Sequence, residues 1–510
     1  MDKEFQLKHC FPADLTCNWM ISNGDAFFNP FTGEVSANRH SDRPSCGTGE
    51  LPACGLMYGS MNGCRCERVI RTGVLALSSD APPTQAADAS RLETGPALGL
   101  PITVAEKAGD WPMYRHDPAR TGGTTDEIAA AAKALWTATM DGKPTQPVIA
   151  GGKVYCAIPE RHSVCCLDAK TGESLWTYRA GARIDSSPTW SGGRLFFGSC
   201  DGWIYCLAAE DGRLIWRFDA APGDRRIVVN GQLESAWPAH GSLIADAKAV
   251  YACVGRQTQL DGGLQFYALK TATGEALWSS RLAHLDRFET TSDLMLGDGE
   301  QLFLGNDQVE GGRYQYVRLD PGTGQVESLQ WNSKDKRTPH DSSDMLLSSM
   351  MGYFAQKAYG ESGKGGPMYR RHFYYHQTIQ GDLLSTDGAR AWGFIDFPKN
   401  TGWGFYGDGK CPFPSGSWVF SLGGTTTWGQ LIQPESVWMK ALVRAGGKLF
   451  MASQPDEKVD AGKITVFDAI NGNILGEFPL FGAPCFDGLS AAGGRLYLSC
   501  ENRTLVCYGE

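Results

Sequence analysis

The residues best equipped for chemistry crowd into one stretch of the 510-residue chain. Arg183 and Asp185, the run Asp224, Arg225, Arg226 to Gln232 and Glu234, and then Arg256 with Asp261 set guanidinium forks beside carboxylates at short spacing. Arginine binds carboxylates through paired hydrogen bonds, so this mixed set reads as a site for a polar, partly anionic ligand, a small molecule or a glycan. The same residues can instead pair among themselves, Arg183 with Asp185 and Arg225 with Glu234, as ion pairs locking adjacent structural units. Trp237 and His240 lie in the same stretch. An imidazole at 240 would titrate near neutral pH and serve as acid or base if it faced an open channel; a hydrogen-bonded core position is the alternative.

Other constellations are poorer. His372 and His376 have i, i+4 spacing, which joins two metal ligands only on a helix, and their aromatic, alternating context reads as strand. Cys165 and Cys166 are adjacent, but neighbours on a strand point to opposite faces, which disfavours a functional vicinal bridge. No phosphate-binding glycine loop, nucleophile elbow or HExxH pattern occurs, and no metal site is expected. Trp392, Trp403, Phe405, Tyr406, Trp418, Trp428 and Trp438, with glycines and Asp408 between them, either form stacking platforms for sugars or cover a loop-rich satellite core.

Composition narrows the classes. A net charge of -9 without a basic run gives no electrostatic footprint for nucleic acid or an anionic membrane, and no apolar window is long enough to span a bilayer. Residues 1–11 lack the basic and apolar regions of a secretory signal. Six of the 16 cysteines (Cys10, Cys17, Cys46, Cys54, Cys64, Cys66) fall in the first 66 residues without paired CxxC units, so disulfides or plain buried thiols are expected there rather than zinc or haem.

The elements that must position these residues come from a repeat. Trp136, Trp176 and Trp216 are spaced by 40 residues, the period of a propeller blade. Segments 151–176, 192–216 and 247–278 each read as strand, turn, strand, turn, strand, with Gly-Gly or Asp-Gly entries and a Thr-Gly or Asp-Gly turn before the Trp-bearing strand. Weaker copies cover 299–326, 446–475 and 493–509, and the last stops before its fourth strand. Ring closure therefore requires a strand from earlier in the chain, around 31–37 or around 135–139. The first choice makes eight blades, slightly favoured because residues 55–79 also look blade-like; the second makes seven. The expected fold is an all-β, seven- or eight-bladed propeller of four-stranded antiparallel blades. The expected organisation is a Cys-rich, blade-like N-terminal region (1–79), a linker and short helix (80–134) opened by the capping box Thr124 to Glu127, and the propeller (135–510) with an aromatic-rich insertion at about 331–440.

The unit ending LDAKTGESLW (167–176) resembles the pyrroloquinoline-quinone (PQQ)-type propeller repeat of quinoprotein dehydrogenases and of the outer-membrane assembly lipoprotein of Gram-negative bacteria, over roughly residues 111–510. WPMYRHDPARTG (111–122), RIDSSPT (183–189), DGWIYCL (201–207), QLESAWPAHG (232–241) and the Cys-rich stretch 43–66 are similar to a group of large planctomycete PQQ-binding-like propellers. The resemblance implies an extracytoplasmic protein, periplasmic or extracellular, that acts as a ligand-binding or assembly scaffold with a small-molecule, glycan or protein partner. It also implies an alternative, a quinoprotein-type oxidoreductase using PQQ with calcium, or a carbohydrate-active enzyme. Asp185, Glu234 and Asp261 would then supply carboxylates, Trp237 an indole floor, and Arg183 and Arg256 cationic contacts.

Overall fold

The structure, a computed structural model, describes residues 14–22, 26–36, 50–59, 75–77, 91–102, 104, 107–229, 231–256, 258, 261–283, 294–309, 313–332, 384–387, 390–397, 416–423, 428–433, 437–455 and 458–510. Turn chemistry and alternation build the blades. In the first, Val148–Ala150, Lys153–Ile158, Ser163–Asp168 and Ser174–Arg179 pair in sequence order as an antiparallel sheet. Gly151 and Gly152 take positive φ in the first turn, and the Asp168 carboxylate accepts the amides of Lys170 and Thr171 in the last. Blades two to six repeat this pattern within 189–219, 244–282, 295–332, 384–433 and 438–480.

The seventh blade joins Pro484–Ala492, Arg495–Cys500 and Thr504–Gly509 to Lys133–Thr139, which pairs antiparallel with the last strand. Closure thus uses the second of the two expected strands, and the described residues hold seven blades. The expected closure by 31–37 is not formed: Val35–Ser36 pairs with Phe27 and Phe28 in a separate small N-terminal sheet, and Leu56–Gly59 belongs to another. The closing strand carries Trp136, the first of the three tryptophans spaced by 40 residues, so that spacing already contained the answer. The helix expected from Thr124 to Ala134 is also absent. Glu127 does not turn back on Thr124; its carboxylate takes the Gly447 amide and Lys448 in the sixth blade, and 133–139 is drawn into the seventh. Part of the expected linker is structured too, since Leu92–Thr94 adds a fifth strand to the outer edge of the second blade.

Tryptophans join neighbouring blades. Trp136, Trp176, Trp216, Trp278 and Trp428 each donate their indole N–H to a carbonyl of the following blade, at Ala169, Ala209, Thr271, Pro321 and Ala469. Each ring lies against a positive-φ glycine of that blade: Gly172, Gly212, Gly274, Gly324 or Gly472. Trp216 is fully buried, with Leu92 of the added strand packed against the same junction; Trp176 and Trp278 are half-buried. A Cβ at Gly212 would stand 2.6 Å from the Trp176 ring, on a backbone at φ 73°. Gly212→Ala is therefore expected to destabilise the protein by more than ~1 kcal/mol, read from a denaturant midpoint; an unchanged midpoint would show that the junction yields freely.

The expected disulfides are not seen at Cys17 and Cys54, which carry free thiols because no cysteine of the described residues stands opposite them; Cys10, Cys46, Cys64 and Cys66 lie outside those residues, as do His372 and His376. Cys165 and Cys166 sit in the middle of a regular strand and are free, consistent with side chains on opposite faces. Among the described residues no helix is long and apolar enough to cross a membrane.

Candidate functional site

The two faces of the ring differ in kind. One carries the Gly-Gly turns and the turns before the Trp-bearing strands. The other carries the turns between second and third strands and the connections between blades, and all ten candidate residues fall there. Arg183 and Asp185 lie on the connection from blade one to blade two, and Arg256 and Asp261 on a turn of blade three. The connection into blade three holds the hairpin Arg226–Val229 and Gln232–Ser235, which puts Glu234 between them.

The acids and arginines meet in two groups. Arg183 grips Asp185 through Nε (2.5 Å) and Nη2 (2.9 Å), and its Nη1 lies 3.2 Å from Glu234 Oε2. Arg256 bonds the other Glu234 oxygen, and Glu234 is only 1% exposed. Arg225 pairs with Asp261 rather than with Glu234, and its guanidinium stacks 5.4 Å from the Trp237 ring centre. Trp237 is buried and donates its indole N–H to the Asp261 carbonyl, so it presents no open floor. Arg226 makes an exposed pair with Asp224, and Gln232 reaches across to His162 of blade one at 3.0 Å. His240 lies in the connection ahead of Ile244–Ala245, not on the innermost strand as the sequence suggested, because the strand starts four residues later; it is half-buried.

Cys200 is a member of the first group that sequence reasoning missed. Its Sγ lies 3.3 Å from Asp185 Oδ2 and 3.7 Å from Arg183 Nη2. Burial, with the Asp185 and Glu234 carboxylates, pushes this thiol well above its ordinary range, so it stays protonated and unreactive at neutral pH. Hydrogen bonding to Asp185 raises Arg183 in turn, against the effect of burial.

Also missed was the role of 111–124. This segment runs into the central channel and touches the innermost part of every one of the seven blades. Trp111 bridges to Ile149, and the Pro112 carbonyl accepts the Trp190 amide. Arg120 donates to the Leu243 and Met295 carbonyls, and the Pro118 carbonyl takes the Gly297 amide. The Gly122 carbonyl accepts from Ser385 Oγ and the Arg444 amide, and Gly123–Thr124 adds a short parallel strand to blade six. Arg115 forms a buried pair with Asp487 of blade seven at 2.8 Å, where Tyr114 also donates to Asp487 at 2.6 Å. Burial among the Tyr114, Leu243 and Met295 carbonyls lowers Arg120 to about 10, against the opposing pull of the Asp117 carboxylate. The segment enters and leaves beside the Gly-Gly turns at Gly493 and Gly446, so it plugs the channel from that face. Arg115, His116 and Arg120 hold positive φ, which the tight path of the plug imposes. In the sequence it showed as a Pro/Arg/His-rich run without alternation, singled out as a motif but with no sign of where it packs.

Known proteins share this architecture. The family model described as outer membrane protein assembly factor BamB matches residues 125–249 and 201–351. A quinoprotein ethanol dehydrogenase of Pseudomonas putida is 24% identical over 249 residues, 41% of this chain and 38% of that protein. Its counterpart in Pseudomonas aeruginosa is 25% identical over 176 residues, 31% of this chain and 26% of that protein. The chain therefore matches well under half the length of these curated relatives. The quinohemoprotein alcohol dehydrogenase ADHIIG of Pseudomonas putida HK5 superposes with a TM-score of 0.50 at 12% identity, covering 81% of this chain and 83% of that one. The described residues form a β-propeller, and over 125–351 the chain is similar to the PQQ-like repeat family. It is related at low identity to BamB-type assembly factors and to quinoprotein alcohol dehydrogenases.

The candidate residues do not fit a calcium-bound quinone. Calcium takes six to eight oxygen ligands, largely from carboxylates free to turn toward it. Here Asp185 is held by Arg183, Glu234 by Arg183 and Arg256, and Asp261 by Arg225, while the indole of Trp237 is covered.

Proposed function

We propose that the protein is a non-catalytic scaffold outside the cytoplasm, in the periplasm or at the cell exterior, that binds a polar small molecule, a glycan or a protein partner on its charged face. Within the PQQ-like propellers we place it beside the planctomycete group, on the motifs at 111–122, 183–189, 201–207 and 232–241. The observation that carries the scaffold reading is that each carboxylate of the sequence-derived cluster is already clasped by an arginine. Such a network links the first three blades and leaves few groups free to hold a metal or a redox cofactor. The plugged channel supports the same reading, because it confines a ligand to the mouth on the charged face.

Metal and quinone analysis of the purified protein, combined with Glu234→Ala, tests this. The expected protein carries neither PQQ nor calcium in stoichiometric amount. Removing Glu234 leaves Arg256 without its acid and Arg183 with Asp185 alone, and is expected to cost at least ~2 kcal/mol of stability in a denaturant titration. Stoichiometric quinone would overturn the reading in favour of a quinoprotein oxidoreductase. Unchanged stability, with loss of binding to a ligand found by screening, would make the cluster a ligand site rather than an inter-blade lock.

A further inference from the structure

The mouth of the channel on the charged face has a second side, at blades six and seven. The innermost strand of blade six, Trp438–Ala445, carries a β-bulge between Met439 and Ala441, and Lys440 is the extra residue. The innermost strand of blade seven is interrupted between Pro484 and Leu489. Bulges re-aim side chains and gather beside binding sites. Here they turn Asp487 inward to Arg115 of the plug and leave the preceding Phe486 43% exposed. Lys440 lies over the half-buried Trp438 ring, with Nζ 5.3 Å from its centre, and has no carboxylate partner among the described residues. Among the described residues of these two blades, Lys143 pairs with Glu501 at 3.3 Å, and Asp460 accepts the Ala483 amide at 2.9 Å. The two innermost strands, Trp438–Ala445 and Pro484–Ala492, pack side by side, which brings the two irregular stretches into one locality.

We propose that Lys440, Trp438 and Phe486 form a binding site for an anionic sugar ring of a carboxylated or sulfated glycan. The ring's apolar C–H face lies on the aromatic side chains, and its acid group meets the Lys440 ammonium, which no described carboxylate pairs. An open mouth suits a chain that continues into solvent, whereas a flat aromatic acid is better held in an enclosed slot. The assignment deepens the binding reading above and does not use the blade one to three network, whose cations are each matched by an acid.

The test is a calorimetric titration of the full chain with tri-galacturonate, with maltotriose as the neutral arm and benzoate as the aromatic-acid arm. Lys440→Met keeps the apolar stem over Trp438 and removes the charge; Lys440→Arg restores it. Tri-galacturonate is expected to bind at least tenfold more tightly than maltotriose, to lose at least tenfold with Lys440→Met, and to recover with Lys440→Arg, all at unchanged melting temperature. Binding indifferent to Lys440→Met would overturn the site while leaving the scaffold reading in place. Benzoate bound more tightly than tri-galacturonate would overturn the ligand class, and no binding of tri-galacturonate would overturn the proposal. Quinone in the purified protein would overturn the scaffold reading without touching this site.

Discussion

Arg115→Ala is expected to destabilise the protein by about 3–5 kcal/mol, among the largest effects of any single change in the plug. Arg115 and Asp487 are 3% and 2% exposed, so deleting the guanidinium leaves a carboxylate buried with only Tyr114 as a close donor. The cost comes from the stranded charge more than from the lost attraction. The double variant Arg115→Met with Asp487→Leu is therefore expected to recover a substantial part of the loss, since neither partner is then left buried alone. Denaturant titrations of the wild type, both single variants and the double variant would measure the coupling. Strictly additive losses would mean that the pair does not pin the plug, and that Arg115 matters only through its packing and its bond to the Arg120 carbonyl.

Trp216→Ala is the other large effect, about 3–5 kcal/mol. Its ring is fully buried between blades two and three, its indole N–H is spent on Thr271, and Leu92 closes over the junction. The cavity has little freedom to collapse, because Gly274 opposite is fixed in a left-handed turn and the added strand is paired to the outer edge. Trp176→Ala, at a half-exposed junction without an added strand, is expected to cost less. Denaturant midpoints of the two variants order them, and equal losses would show that the added strand contributes nothing to the junction. Neither change should alter binding on the charged face, since both rings dock on the face with the glycine turns.

Local sequence determined the blade. Glycine turns, an Asp-led turn and a tryptophan every 40 residues specify a strand-turn unit that cannot bury its faces alone, and stacking such units makes a ring. The topology that follows puts Arg183, Asp185, Glu234, Arg256 and Asp261 on one face whatever their partners, so their common side was legible before any coordinates. Which charge meets which was not. Arg225 chose Asp261 over Glu234, because a hairpin in the connection carries Glu234 toward Arg183 and Arg256. Cys200 entered the cluster from a turn of blade two whose sequence carries no sign of it.

Long-range contacts decided the rest. The capping box at Thr124 is a sound local signal, yet Glu127 gained a lysine and a backbone amide in blade six, and the closing strand gained a full ladder of hydrogen bonds, which together outweigh one marginal helix. The plug is a tertiary object throughout. Its residues satisfy carbonyls, amides and one carboxylate from seven blades, so no periodicity or propensity in 111–124 records it. The irregular stretches that carry Phe486 and Lys440 are likewise products of register between strands. A linear sequence thus determined the repeat and its polar face, because those depend on local turns and alternation; the ring's closure and its plug were decided by which distant strands came to lie side by side.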